Sequence, residues 1–269
     1  LDFEVFMKNV IKCLFLIPLY MAIYFAMMMF GVIYNIAAVL VFKADEISGF
    51  GVGEVQYSLV TIFTALVSLL IYYLIIKARE IDLNKYEYNN PVRFLDVISI
   101  IFSVLSLSGI VSFIVTKIPI VRKWGEQAEE YFNFIEKENA LLVILAVVVA
   151  GPIAEEVLFR GLVYSELVNA KMPKALAIIT QGVLFGIMHG NLYQISYATV
   201  IGIVLGVILE KSKSIYVTVL IHIFYNFSSG IIMELVPVNI IMLLVSILLL
   251  AISLVLIRPR KEVGKASAA

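Results

Sequence analysis

The chain has 269 residues, of which 62% are hydrophobic and only 15% charged, and its mean hydropathy is +1.03. Soluble domains run about 45–50% apolar and about 25% charged, so a water-soluble globular protein is excluded. Lysine plus arginine equals aspartate plus glutamate at 20 each, which argues against nucleic acid as a partner, and the single cysteine, Cys13, permits neither an intrachain disulfide nor a cysteine metal cluster.

A membrane-crossing helix needs about 20 mostly apolar residues. That template predicts spans over residues 10–42, 57–76, 95–115, 140–168, 173–189, 194–209, 215–232 and 238–257. The expected fold is therefore all-α: a polytopic membrane protein, a bundle of about eight transmembrane helices forming one domain over 1–269. The first span is overlong and carries Pro18, which suggests a tilt or kink. The fourth runs past Arg160 and is expected to leave the bilayer there. Spans five to seven are short and punctuated by glycine. Gly182, Gly186 and Gly190 recur at spacing four, as do Gly202 and Gly206, and such ridges let helix backbones approach closely.

Eight spans put both termini on one side. Of the 20 Lys and Arg residues, 15 then fall on that side and five (Lys43, Lys117, Arg122, Lys123 and Lys137) on the other. The positive-inside rule makes the richer side cytoplasmic, so both termini are expected there. Residues 116–139 alternate apolar and charged positions and carry Trp124 and Tyr131. They read as an amphipathic helix lying in the interface or as a solvated loop.

The chemistry concentrates in the fourth, fifth and seventh spans. Gly151-Pro152-Ile153-Ala154-Glu155-Glu156-Val157-Leu158-Phe159-Arg160 sets two adjacent carboxylates and an arginine in an apolar run. Consecutive helical residues are about 100° apart, so Glu155 and Glu156 cannot share a face. Glu156 and Arg160, at i and i+4, can form an ion pair that braces the helix, which leaves Glu155 free for chemistry. Both carboxylates could instead be interfacial residues. His189 follows Phe185 by four residues, and His222 precedes Asn226 by four, so each pair shares a helix face. Taken singly, either histidine could be structural. Together with the glutamates they are the strongly titratable groups of the last spans, and in lipid such groups must find one another or water.

Three arrangements are chemically sensible. Glu155 and His189 could activate a water for attack on a carbonyl, with His222 and Asn226 donating to the oxyanion. A glutamate and the two histidines could hold a zinc ion, although no His-Glu-x-x-His is present. The same groups could form a proton or ion relay or simply tie helices together in a transporter-like protein or scaffold. No serine stands in a nucleophile elbow, and Cys13 is remote in sequence, so a covalent mechanism is not expected.

The succession Glu155-Glu156-x-x-x-Arg160, Phe185-x-x-x-His189 and His222-x-x-x-Asn226 resembles the three-motif signature of the CAAX protease and bacteriocin-processing (Abi) family of intramembrane glutamic endopeptidases, which includes the Ras-converting CAAX prenyl proteases. All motif positions are present, within about 140–230. The resemblance implies an intramembrane endopeptidase with Glu155, His189, His222 and Asn226 catalytic, Glu156 and Arg160 supporting, and no cofactor, zinc being the alternative. The implied substrate is a membrane peptide or lipidated protein, either a prenylated CAAX-type C-terminus or a bacterial peptide precursor. Membrane lipid is the other expected partner. A prokaryotic cell membrane is the expected setting. Depth is an obstacle, because His189 lies farther from the cytoplasmic end of its span than His222 does. For both to meet Glu155, the fifth span must be strongly tilted or start outside the bilayer.

Overall fold

The computed structural model describes residues 3–42, 57–81, 90–136, 139–235 and 237–257. They form an all-α, multi-pass membrane protein. In chain order the helices are α1 (Phe3–Phe42), α2 (Tyr57–Ala78), α3 (Phe94–Lys117), α4 (Pro119–Glu136), α5 (Ala140–Asn169), α6 (Lys174–Ile187), α7 (Leu192–Ser212), α8 (Ile215–Leu235) and α9 (Ile240–Leu256). Within α1, α2, α3, α5 and α7 lie stretches long and apolar enough to cross a bilayer, and three shorter apolar stretches lie in α6, α8 and α9. Every predicted span therefore has its helix. α1 continues through Pro18 without interruption. Of the basic residues used for orientation, Lys43, Lys85, Lys137, Arg258, Arg260, Lys261 and Lys265 lie outside the described residues.

Large apolar side chains such as Phe15, Leu70, Leu248 and Val255 point outward and are exposed. Small polar ones point inward instead. Ser99 and Ser103 of α3 hydrogen-bond Ser253 of α9, with hydroxyl separations of 2.8 Å and 2.6 Å. Because lipid is as apolar as leucine, helix association in a membrane depends on close packing and such polar contacts rather than on sequestering hydrophobic surface.

α5 forms the central rod. It is not uniformly α-helical: Ile144–Ala150 and Val157–Val163 are π-helical, and the α-helical turn Gly151–Glu156 lies between them. Short π segments inside α-helices are frequent at functional sites. At its C-terminal end α5 is held by α1 and α2. Tyr20 and Arg79 both bond the carboxylate of Glu166, Cys13 donates to the Glu166 carbonyl at 3.3 Å, and Tyr72 donates to the Tyr20 carbonyl at 2.9 Å. Cys13 thus sits by Glu166, about 16 Å along the rod from Glu155.

α6 and α7 form an antiparallel hairpin. A Cβ on Gly182 would strike Ile203, one on Gly186 would strike Thr199, and one on Gly202 would lie 2.9 Å from Gly182 backbone atoms. The glycine ridges at 182, 186, 202 and 206 therefore do bring the backbones together. Gly190 leaves the ridge. It adopts φ +77° in the tip of the hairpin, with nothing near its missing side chain, so its role is the left-handed turn that glycine adopts without strain.

Residues 119–136 are helical rather than a loop. Val121 is buried, Trp124 packs on the core, and Gly125 lies against Tyr193 of α7.

Candidate active site

The site begins with the buried ion pair. Arg160 donates through Nη1 to Glu156 Oε1 at 2.8 Å, and both side chains are fully buried. The guanidinium is enclosed by protein, stacked over the Phe185 ring with 4.9 Å to its centroid, and its Nη2 donates to the Gly202 carbonyl at 3.1 Å. A charge can stay inside a membrane protein when its carrier is paired and hydrogen-bonded in this way.

Glu156 also accepts from His222. The ring Nδ1 lies 3.0 Å from Glu156 Oε1. An ionised carboxylate only accepts, so Nδ1 carries the proton in that contact, and Nε2 is turned to the opposite side. There it faces Glu155 Oε2 at 3.8 Å. His222 thus stands between the two carboxylates, and the adjacent glutamates have unlike environments. Glu156 is sealed, whereas the Glu155 side chain retains 18% exposure.

His189 is oriented by its own helix. Its Nδ1 lies 2.9 Å from the Phe185 carbonyl. A carbonyl can only accept, so Nδ1 is the N–H, and in the neutral imidazole Nε2 carries the lone pair. Phe185 is the hub of the cluster: its ring meets His189 edge-on at 5.1 Å and His222 at 5.6 Å, and it also packs on Phe159 at 5.2 Å. Phe185 thus gathers the two histidine rings into one cluster.

Glu155 and His189 lie at matching distances along the chain from the turn between α5 and α6. The 14 residues of α6 rise only about 21 Å, short of the about 30 Å of a hydrocarbon core. The turn before α8 is packed into the protein. Ser212 and Ser214 are fully buried there, and the Ser214 hydroxyl donates to the Asn90 carbonyl at 2.6 Å.

Asn226, one turn beyond His222, donates through Nδ2 to the Val147 carbonyl of α5 at 2.9 Å. Just beyond His189, Asn191 caps α7: its side chain accepts from the Gln194 backbone N–H at 2.9 Å. Sequence reasoning missed Gln181. Fully buried on α6, it donates to the Gly202 carbonyl at 2.8 Å, the same oxygen that Arg160 uses. The available signal was a polar residue four positions before Phe185, hence on the same face of an apolar helix. Among the described residues no group of three His, Cys, Asp or Glu side chains is arranged to hold a metal ion.

The fold and this cluster define a class: an α-helical membrane protein that encloses a carboxylate–imidazole site among α5, α6 and α8. Residues 137–228 match the family model described as Type II CAAX prenyl endopeptidase Rce1-like. The chain is also similar to "Putative membrane peptidase YdiL" of Bacillus subtilis (strain 168), with 27% identity over 115 residues, 43% of this chain and 46% of that protein. The chain thus matches under half the length of this relative. No solved structure matches the chain significantly.

Proposed function

We propose that the protein is an intramembrane endopeptidase of the glutamic type, hydrolysing a peptide bond of a membrane-associated substrate. The observation that carries this reading is the unlike state of the paired glutamates. Glu156 is consumed by Arg160 and His222, while Glu155 faces the same imidazole from the accessible side. The family match over 137–228 and the similarity to a protein described as a membrane peptidase support the same class.

In this mechanism Glu155 and the Nε2 lone pair of His189 accept hydrogen bonds from a water and draw off its proton as the water oxygen bonds to the scissile carbonyl carbon. The carbonyl oxygen takes the negative charge. The second N–H of the Asn226 amide and, when protonated, His222 Nε2 donate to it. Collapse of the tetrahedral species breaks the C–N bond, and the proton held by Glu155 passes to the departing amine. No acyl-enzyme forms. The substrate is either a prenylated CAAX-type C-terminus or an unlipidated bacterial peptide precursor, met in a prokaryotic cell membrane.

Wild type and Glu155→Ala in liposomes, given a prenylated CAAX peptide and an unlipidated membrane peptide, test both points. Wild type is expected to cleave one of them, and Glu155→Ala to lose about 100-fold or more of the rate while staying folded. Full activity of Glu155→Ala, or no cleavage by wild type, counts against the proposal. Stoichiometric zinc in the purified protein, with loss of activity on its removal, would favour the metallopeptidase alternative.

A further inference from the structure

We infer that Asn226 is a positioning residue for the Glu155 turn, because it supplies to Val147 the hydrogen bond that Pro152 cannot. The argument starts from the register of α5. A π-helical register pairs a carbonyl with the N–H five residues on, and at the end of the stretch Ile144–Ala150 the Gly151 N–H accordingly reaches the Ala146 carbonyl. The next partner in that register, for the Val147 carbonyl, is residue 152. Residue 152 is proline and has no N–H.

A backbone carbonyl left open in the hydrocarbon region has no water to turn to. The Asn226 amide fills the gap at 2.9 Å from across the α5–α8 interface. The backbone so held is the backbone that carries the proposed base. Glu155 lies three residues past Pro152 in the same α-helical turn, and its Oε1 is 3.7 Å from where a Cβ on Gly151 would stand. One N–H of Asn226 therefore sets the height and orientation of Glu155, while its second N–H is left for the developing oxyanion. His222, on the preceding turn of α8, is held in register with Glu156 by the same interface.

The assignment makes Pro152 and Asn226 a coupled pair. Alanine at 152 restores a backbone N–H, so Val147 regains a partner within its own helix. The test is a double-mutant cycle on the full chain, with Asn226→Ala, Pro152→Ala and the double variant, read by thermal unfolding and by kcat and KM. Asn226→Ala is expected to lower Tm, and its effect should shrink by at least half in the Pro152→Ala background. The kinetic arm rests on the peptidase reading: kcat lost in Asn226→Ala should recover about tenfold in the double variant, with KM little changed. Additive losses of Tm in the two backgrounds would overturn the coupling. Coupled Tm without recovery of kcat would overturn the positioning role and leave Asn226 only its brace on Val147 and its oxyanion contact. If Asn226→Ala does not fold, Pro152→Ala should restore folding, and failure to do so counts against the inference. So does failure of Pro152→Ala alone to fold. A wild type that cleaves nothing removes the peptidase reading, while the unfolding arm still decides the Pro152–Asn226 pairing.

Discussion

At the scale of single residues, the fully buried Arg160 makes the sharpest energetic statement. Its guanidinium serves Glu156, the Gly202 carbonyl and the Phe185 face together, so it joins α5, α6 and α7 at one point. Arg160→Ala leaves Glu156 as an uncompensated buried charge and is expected to destabilise the protein by about 3–5 kcal/mol. Arg160→Lys keeps the charge but lacks the planar fork that reaches both oxygens, so it should recover only part of that loss. Thermal unfolding in detergent checks both, and wild-type melting of Arg160→Ala would show that the pair braces nothing. Most of this was legible beforehand. The i, i+4 spacing of Glu156 and Arg160 is a property of any helix, and it survives the onset of the π-helical turn between them. The contact of Arg160 with Gly202 was not legible, because it spans two elements whose facing surfaces no local pattern specifies.

At the scale of elements, the hairpin of α6 and α7 depends on missing side chains. A methyl group at Gly202 would press on Gly182 backbone atoms, which cannot yield as a flexible side chain can. Gly202→Ala is expected to cost about 1–3 kcal/mol by overpacking. Gly161 offers the control: its Cβ would meet only Val157, at 3.9 Å, so Gly161→Ala should change stability by less than about 1 kcal/mol. A comparison of the two melting temperatures checks the pair, and equal shifts would refute the packing account. The spacing of four at Gly182, Gly186, Gly202 and Gly206 is a helical period and could be read directly. Gly190 fell on the same period by coincidence. Nothing in a periodic pattern marks where a helix stops, whereas φ +77° at the tip does.

For the whole molecule, the point at which α1 and α2 hold the rod is the Glu166 carboxylate, which receives both Tyr20 and Arg79. The cluster lies at the end of α5 away from the Glu155 site and ties the first two helices to the helix that carries it. Glu166→Ala leaves Arg79 and the buried Tyr20 hydroxyl without that acceptor and is expected to cost about 2 kcal/mol. The first sign should be faster proteolysis or hydrogen exchange in α1 and α2 than in α6 to α8. Uniform loosening of all helices, or none, would argue against this anchoring role.

Hydropathy alone determined that the chain is an α-helical membrane protein and where its apolar helices run, because a backbone in lipid must satisfy its hydrogen bonds within its own segment and apolar length records that requirement. The three motifs determined which residues were candidates, because ionisable groups are too costly in an apolar helix to be placed there idly. The i, i+4 spacing of Glu156 and Arg160 already divided the two glutamates in sequence. The tertiary structure added the contacts between elements, His222 on Glu156 and the Gly202 carbonyl on Arg160, that no local pattern specifies. It alone brought the two histidine rings, from different helices, onto the ring of Phe185. And it decided that Asn226 answers Pro152, a pairing between a missing donor on one helix and a spare donor on another that no single segment contains.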